Sequence, residues 1–379
     1  MGELIRWPWS SRIPARDEVR ELMRQFLEEA DRDEELSWDS MTVKDGLPHN
    51  WIYDLFVDSR GRVWAGTWGG GLGVYQDGTW TVYDRQDGLA SDNVTCIRED
   101  SKRRIWIATA AGLNRFEDGK FVNAGLLGNS LLNMAFDRSQ NLWVGCWKYE
   151  GRSGGGLYLA EGAGKRSMST PDSLKWRAIT TRQGAPGLEV LKVAEDSQGH
   201  IWVGTYDGGQ GAGVGRWNGS EWRRFTTRDG LVGDCVYSMF EDPEGRMWFG
   251  TTKGVSIYDG KVWRSLTTRD GLASNNVYAM FIDEDKKMWF GTRRGVNRFD
   301  GTNWKLFSRR RELPAKLVRT IAQDREGCLW FGTYPDLPGL GGIGRARKSS
   351  IYDQIESRFM DKLSPGRRNK QIESGHSET

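Results

Sequence analysis

One motif recurs seven times along the chain, and it restricts the fold more than any other feature. It opens with Asp, passes through a short turn, and ends in an apolar residue, Trp, an apolar residue, Gly and Thr. The first copy is Asp58-Ser-Arg-Gly61-Arg-Val-Trp64-Ala-Gly-Thr67. The pattern returns around Trp106, Trp143, Trp202, Trp248, Trp289 and Trp330, at spacings of 42, 37, 59, 46, 41 and 41 residues. A repeat of about 40–50 residues is the length of one four-stranded blade in a ring of sheets.

One unit shows how the strands divide. An apolar run at 277–281 reads as a first strand. The Asp-x-x-Gly turn follows, since Asp bonds its own backbone and Gly accepts a positive φ. Met288–Thr292 reads as the second strand, Gly295–Phe299 as the third and 303–307 as the fourth, with Asp300-Gly301 turning between the last two. A Thr-x-x-Asp-Gly-Leu linker, as at 267–272, leads to the next unit. Seven units of four strands predict an all-β, seven-bladed β-propeller. The seventh unit has a third strand near 342–346 and no fourth. A lone fourth strand at 38–43, with its linker, precedes the first unit, so joining the two ends closes the ring and removes its exposed edges.

The repeat accounts for the tryptophans. Seven lie on second strands, and Trp38, Trp80, Trp176, Trp222, Trp263 and Trp304 lie on fourth strands, making 13 of the 19 periodic. They read as packing between blades, because a base-stacking surface has no need of Trp in every blade.

These motifs resemble the two-component regulator propeller repeat of ligand-binding sensor domains in bacterial hybrid histidine kinases. The resemblance covers roughly 38–347 and implies a binding role. The turn also looks like the sialidase Asp-box, a structural hairpin. Repeats two and six lack the turn glycine, carrying Arg103-Arg104 and Lys286-Lys287. Repeat three has Gln140-Asn141 there and Cys146 in place of Thr. Sensor members are usually joined to a membrane helix and a kinase, which this sequence does not show.

The linkers and the loops between second and third strands share one face of such a ring, and this is where the sequence becomes irregular. Strand-two exits carry Trp68, Trp147, Tyr206, Lys253, Arg293, Arg294 and Tyr334. First strands near the mouth offer Tyr53, Tyr237, Tyr278 and Arg319. Glycine-rich extensions follow at 69–71, 154–156, 208–213 and 339–342. Aromatics with Arg suit a concave site for a polar ligand or peptide, and the glycines read as flexible.

Signs of catalysis are few. The histidines are His49, His200 and His376, of which only His49, in a linker, approaches the mouth. Streptogramin lyases are seven-bladed propellers that use a catalytic histidine with a metal, and no such constellation stands out. No G-x-S-x-G, phosphate loop or metal-ligand cluster is present. No catalytic residue, metal or cofactor is therefore expected. A formal net charge of +3 gives no field to draw in nucleic acid, and no run of 18 apolar residues exists to enter a membrane. Cys96, Cys146, Cys235 and Cys328 are widely spaced and read as small buried residues. Without an apolar leader the chain is expected in the cytoplasm.

Outside the ring, 17–35 is expected to form a helix with Val19, Leu22, Met23, Phe26, Leu27 and Ala30 on one face. A second is expected at 350–363 with Ile351, Ile355, Phe359 and Leu363, followed by a polar tail. The resulting division is an extension at 1–37, a propeller at 38–348, and a helix with tail at 349–379. The first functional expectation is a protein-interaction scaffold, docking through the helices or one propeller face. The alternatives are a sensor of a small polar ligand, glycan-like or peptide, and a lyase-type enzyme.

Overall fold

The computed structural model describes residues 36–147, 156–165, 174–187, 189–209, 211–308, 312–335 and 340–348. Among them twenty-eight strands form seven four-stranded sheets, the blades of a propeller. Blades 1 to 6 span 52–83, 94–125, 130–179, 190–225, 236–266 and 277–307. Blade 7 takes three strands from 317–348 and its outermost from Leu36–Met41, which pairs with Gly342–Lys348. This is the expected closure, with the strand beginning two residues earlier than the sequence suggested and ending at Met41. The stretch Trp38–Ala346 is one compact unit. The helices expected at 17–35 and 350–363, and the polar tail, lie outside the described residues.

The recurring Asp does more than close a turn. In each repeat one carboxylate oxygen accepts the indole N–H of the Trp six residues on. The distances run from 2.7 Å for Asp324 with Trp330 to 2.9 Å for Asp58 with Trp64. The other oxygen accepts backbone N–H groups within the turn, as Asp58 Oδ1 does from Arg60 and Arg62 at 2.9 Å. Burial pushes the Asp58 and Asp196 carboxyls up. The indoles of Trp64 and Trp202, the turn amides, and Arg62 or His200 outweigh it and hold both below the usual range. The turn also requires one left-handed residue. Gly61, Gly199, Gly245 and Gly327 supply it, whereas Arg103, Gln140 and Lys286 are forced to φ near 62°.

Packing between blades follows from the rest of the motif. The seven second-strand tryptophans are at most 7% exposed, as expected of packing residues. The glycine two residues after the Trp in six of the seven repeats, replaced by Ala108 in blade 2, lets the next blade approach. A Cβ on Gly66 would stand 2.8 Å from Val94 of blade 2, and one on Gly145 only 2.6 Å from the Val190 carbonyl of blade 4. In the linker, Thr and Asp cap each other, as in Thr267 N–H to Asp270 Oδ2 at 2.8 Å. The linker glycine lies against the fourth-strand Trp, with Gly271 on Trp304 and Gly230 on Trp263. The linker leucines Leu47, Leu89, Leu231 and Leu272 are buried. Trp38 completes the ring, its indole 5.2 Å from the rings of both Phe307 and Phe331.

Candidate functional site at the channel mouth

The inner strands of the seven blades surround a central channel of about 370 Å³. They are Ile52–Val57, Val94–Glu99, Ser130–Phe136, Val190–Glu195, Val236–Glu241, Val277–Ile282 and Leu317–Gln323. Every one breaks register with its neighbour at the same place. One residue per blade is left out of the ladder there: Tyr53, Thr95, Leu132, Leu191, Tyr237, Tyr278 and Arg319. A bulge of this kind re-aims a side chain. All seven of these residues line the channel.

Tyr53, Tyr237, Tyr278 and Arg319, the four inner-strand residues singled out from the sequence, are thus in one ring of positions. Arg319 places its guanidinium carbon 3.7 Å from the Tyr53 ring centroid. Tyr53 stacks on Trp68 with centroids 5.6 Å apart. Tyr278 meets Tyr237 at 4.9 Å, Tyr237 meets Tyr206 at 6.1 Å, and Tyr206 meets Trp147 at 5.3 Å. Trp68, Tyr206 and Trp147 therefore support the collar from outside the channel. Tyr334 instead packs on Trp51, which the sequence reading passed over, at 5.1 Å. Arg293 and Arg294 are exposed and join no ring contact. Burial, with Tyr278 and Tyr206 beside it, pushes the Tyr237 hydroxyl up, so it stays protonated.

The glycine-rich extensions differ from expectation. Where described, several of them are tightly packed, while Gly69 and Gly208 stand open. A Cβ on Gly70 would lie 2.4 Å from the Pro48 carbonyl, one on Gly211 2.1 Å from the Asp234 backbone, and one on Gly341 2.4 Å from the Asn50 carbonyl. These glycines let the loops press onto the linkers, which stiffens the face carrying the collar. Residues 154, 155, 210 and 339 lie outside the described set.

Below the collar the lining is polar, and sequence reading missed it. Asp54 Oδ2 accepts from the Ile97 N–H at 2.8 Å and from the Arg98 guanidinium at 2.9 Å. Thr320 Oγ1 accepts from Leu55 N–H at 3.2 Å, and Asn133 Oδ1 from Val193 N–H at 3.0 Å. In these cases the residue after the bulge satisfies a backbone N–H of the next blade. Lys192 holds the same position in blade 4 and has no acceptor to offer. A polar residue after the bulge in five of the seven units, Asp54, Asn133, Lys192, Ser238 and Thr320, was the available signal.

No histidine lines the channel. His49 Nδ1 accepts the Trp51 N–H at 3.1 Å, and burial pushes its pKa down. His200 is bonded to Asp196 at 2.9 Å within its own turn, and His376 lies outside the described residues. Among the described residues no group of His, Cys, Asp and Glu is placed to hold a metal. The four cysteines are unpaired and buried, and burial pushes the Cys96 thiol up to about 11.

Six stretches, 46–69, 88–111, 184–207, 230–253, 271–294 and 312–334, match the family model described as two component regulator propeller. Each runs from a linker through the second strand of a blade. Blade 3, with its altered turn and Cys146, is the one without a match. The chain belongs to this class of repeat propeller. The extracellular domain of a hybrid two-component system from B. thetaiotaomicron superposes with a TM-score of 0.70 at 18% identity, over 91% of this chain and 45% of that one. Virginiamycin B lyase from Staphylococcus aureus gives 0.61 at 13% identity, over 82% and 99%. YCF48 bound to a D1 peptide gives 0.57 at 16%, over 83% and 97%. At these identities the likeness establishes the fold alone. The chain spans less than half the length of the sensor ectodomains it matches. No curated protein sequence matches it. No helix among the described residues is long and apolar enough to cross a membrane. The sensor domains it resembles are extracellular, so the cytoplasmic location expected from the sequence gains no support.

Proposed function

We propose that this chain is a non-catalytic binding propeller whose site is the collar of Tyr53, Tyr237, Tyr278 and Arg319. The observation that carries this reading is the bulge repeated in all seven inner strands. It turns one side chain per blade to the channel, and four of the seven are Tyr or Arg. Tyrosines offer rigid flat faces with a polar tip, and Arg adds a planar donor, which together suit a flat polar ligand. The channel volume lies in the range of small-molecule sites. Sensing a small ligand therefore becomes the first reading, ahead of the scaffold that the sequence alone favoured.

The scaffold remains as the second reading, because a propeller of similar fold, YCF48, is solved with a peptide bound. A double variant tests the first reading. Tyr237→Ala with Tyr278→Ala should abolish the rise in melting temperature that a bound sugar or short peptide gives the native protein, the stabilisation behind that rise reaching about 2.7 kcal/mol at a hundredfold excess over Kd. A panel compound that stabilises the variant equally would sink the collar as the site. Size exclusion of the native extract addresses the scaffold: a lone 43.0 kDa species argues against it.

A further inference from the structure

The channel lining holds more positive charge than its own carboxylate balances. Arg98, Lys192 and Arg319 line it from blades 2, 4 and 7, against Asp54 alone. Asp54 is committed to Arg98 and to a backbone amide. Arg319 lies against the face of Tyr53, a contact that leaves its in-plane N–H donors free to point elsewhere. Lys192 has no hydrogen-bond or ion-pair partner among the described residues. Burial pushes its pKa down and the charges of Arg98 and Arg319 push the same way, while Cys96 and Asp54 pull against them. Ser238 Oγ, buried in the same lining, also has no hydrogen-bond partner. The blades line this space but leave it partly open, and water reaches it, since the Arg98 side chain is 25% exposed. Unbalanced like charges in such a space are costly unless something arrives to neutralise them. Clusters arranged against stability in this way mark functional sites.

We propose that the channel takes a ligand bearing a small oxyanion, a carboxylate or a phosphate, held by Lys192 and Arg319 with its body against Tyr237 and Tyr278. The assignment rests on the collar being the binding site and adds the charge of its ligand. Inorganic phosphate and succinate are the two probes, each titrated at constant ionic strength against chloride while melting is followed. At least one should raise the melting temperature beyond chloride, and a response to only one identifies the group. Lys192→Met should weaken that response by about tenfold or more. The same variant should melt higher than the native protein in chloride, because an unbalanced cation is gone. Arg319→Gln should weaken the response without that gain, since it also gives up the Tyr53 contact. The Tyr237→Ala, Tyr278→Ala variant should keep the phosphate or succinate response, so loss of the collar and loss of the anion site are read separately. No response beyond chloride overturns the proposal. So does a response indifferent to Lys192→Met, or a Lys192→Met variant that melts lower in chloride, which would make the amine a satisfied structural group.

Discussion

At the scale of single residues, the repeat motif is a set of contacts rather than a signature. Asp was legible as a turn former, because its bond to its own backbone is local. Its second partner was not, since the indole six residues later meets it only after the hairpin has folded. The left-handed turn position is the other residue-scale feature, and the chain tests it against itself. Gly245 sits there at φ 78° in blade 5, and Lys286 at φ 63° in blade 6. A side chain in this region costs roughly 1–2 kcal/mol, while glycine gives back about 0.5–1 kcal/mol in the unfolded chain. Lys286→Gly should therefore stabilise the protein by about 0.5–1 kcal/mol, and Gly245→Lys should destabilise it by a similar margin. The midpoint of urea unfolding reads both. A Lys286→Gly variant with a lower midpoint would mean the lysine side chain contributes more than its strained backbone costs.

At the scale of strands, what the sequence could show was which runs pair, because apolar periodicity and turn residues are local signals. The second and third strands of blade 6 fall where the sequence placed them. What it could not show was register. A bulge is a single residue left out of a ladder, and no residue type announces it. Lys192 and Arg98 looked like ordinary polar positions for the same reason, since facing a channel and facing solvent read alike in sequence. Tyr53, Tyr237, Tyr278 and Arg319 were found because they share a register position. Trp51 and Asp54 were missed because neither shares it, Asp54 lying one residue after it and Trp51 two before. Strand spacing between blades gives a second test. The position two after the Trp is Gly145 in blade 3 and Ala108 in blade 2, where it is fully buried. In blade 3 the added Cβ would meet both Val190 Cγ1 and the Val190 carbonyl, and no rotamer change can move the carbonyl. Gly145→Ala should then cost about 2 kcal/mol, in line with overpacking elsewhere, and a thermal melt should show it. An unchanged melt would mean blades 3 and 4 separate more easily than this spacing implies.

At the scale of the whole ring, closure is the property on which the site depends. The collar draws one residue from each inner strand, so its geometry holds only while all seven blades keep their angular places. Between blades 7 and 1 that continuity is secured by the outermost strand, Leu36–Met41, which pairs with Gly342–Lys348. Trp38 on that strand packs on Phe307 of blade 6 as well as on Phe331 of blade 7, so the strand ties two blades together. Removing it would take away a half-buried indole, worth about 3–5 kcal/mol by analogy with buried aromatic truncations, and leave a bare strand edge open to pairing with other chains. Two truncations separate this strand from what precedes it: one lacking residues 1–35 keeps the strand, and one lacking 1–41 does not. The longer truncation should melt well below the shorter and elute as aggregates rather than a monomer. It should also lose ligand responses at the collar, because Arg319 of blade 7 and Tyr53 of blade 1 would no longer be held face to face. Should the two truncations melt together and both remain monomeric, the ring is held by its inner strands alone, and the terminal strand is a cover rather than a clasp.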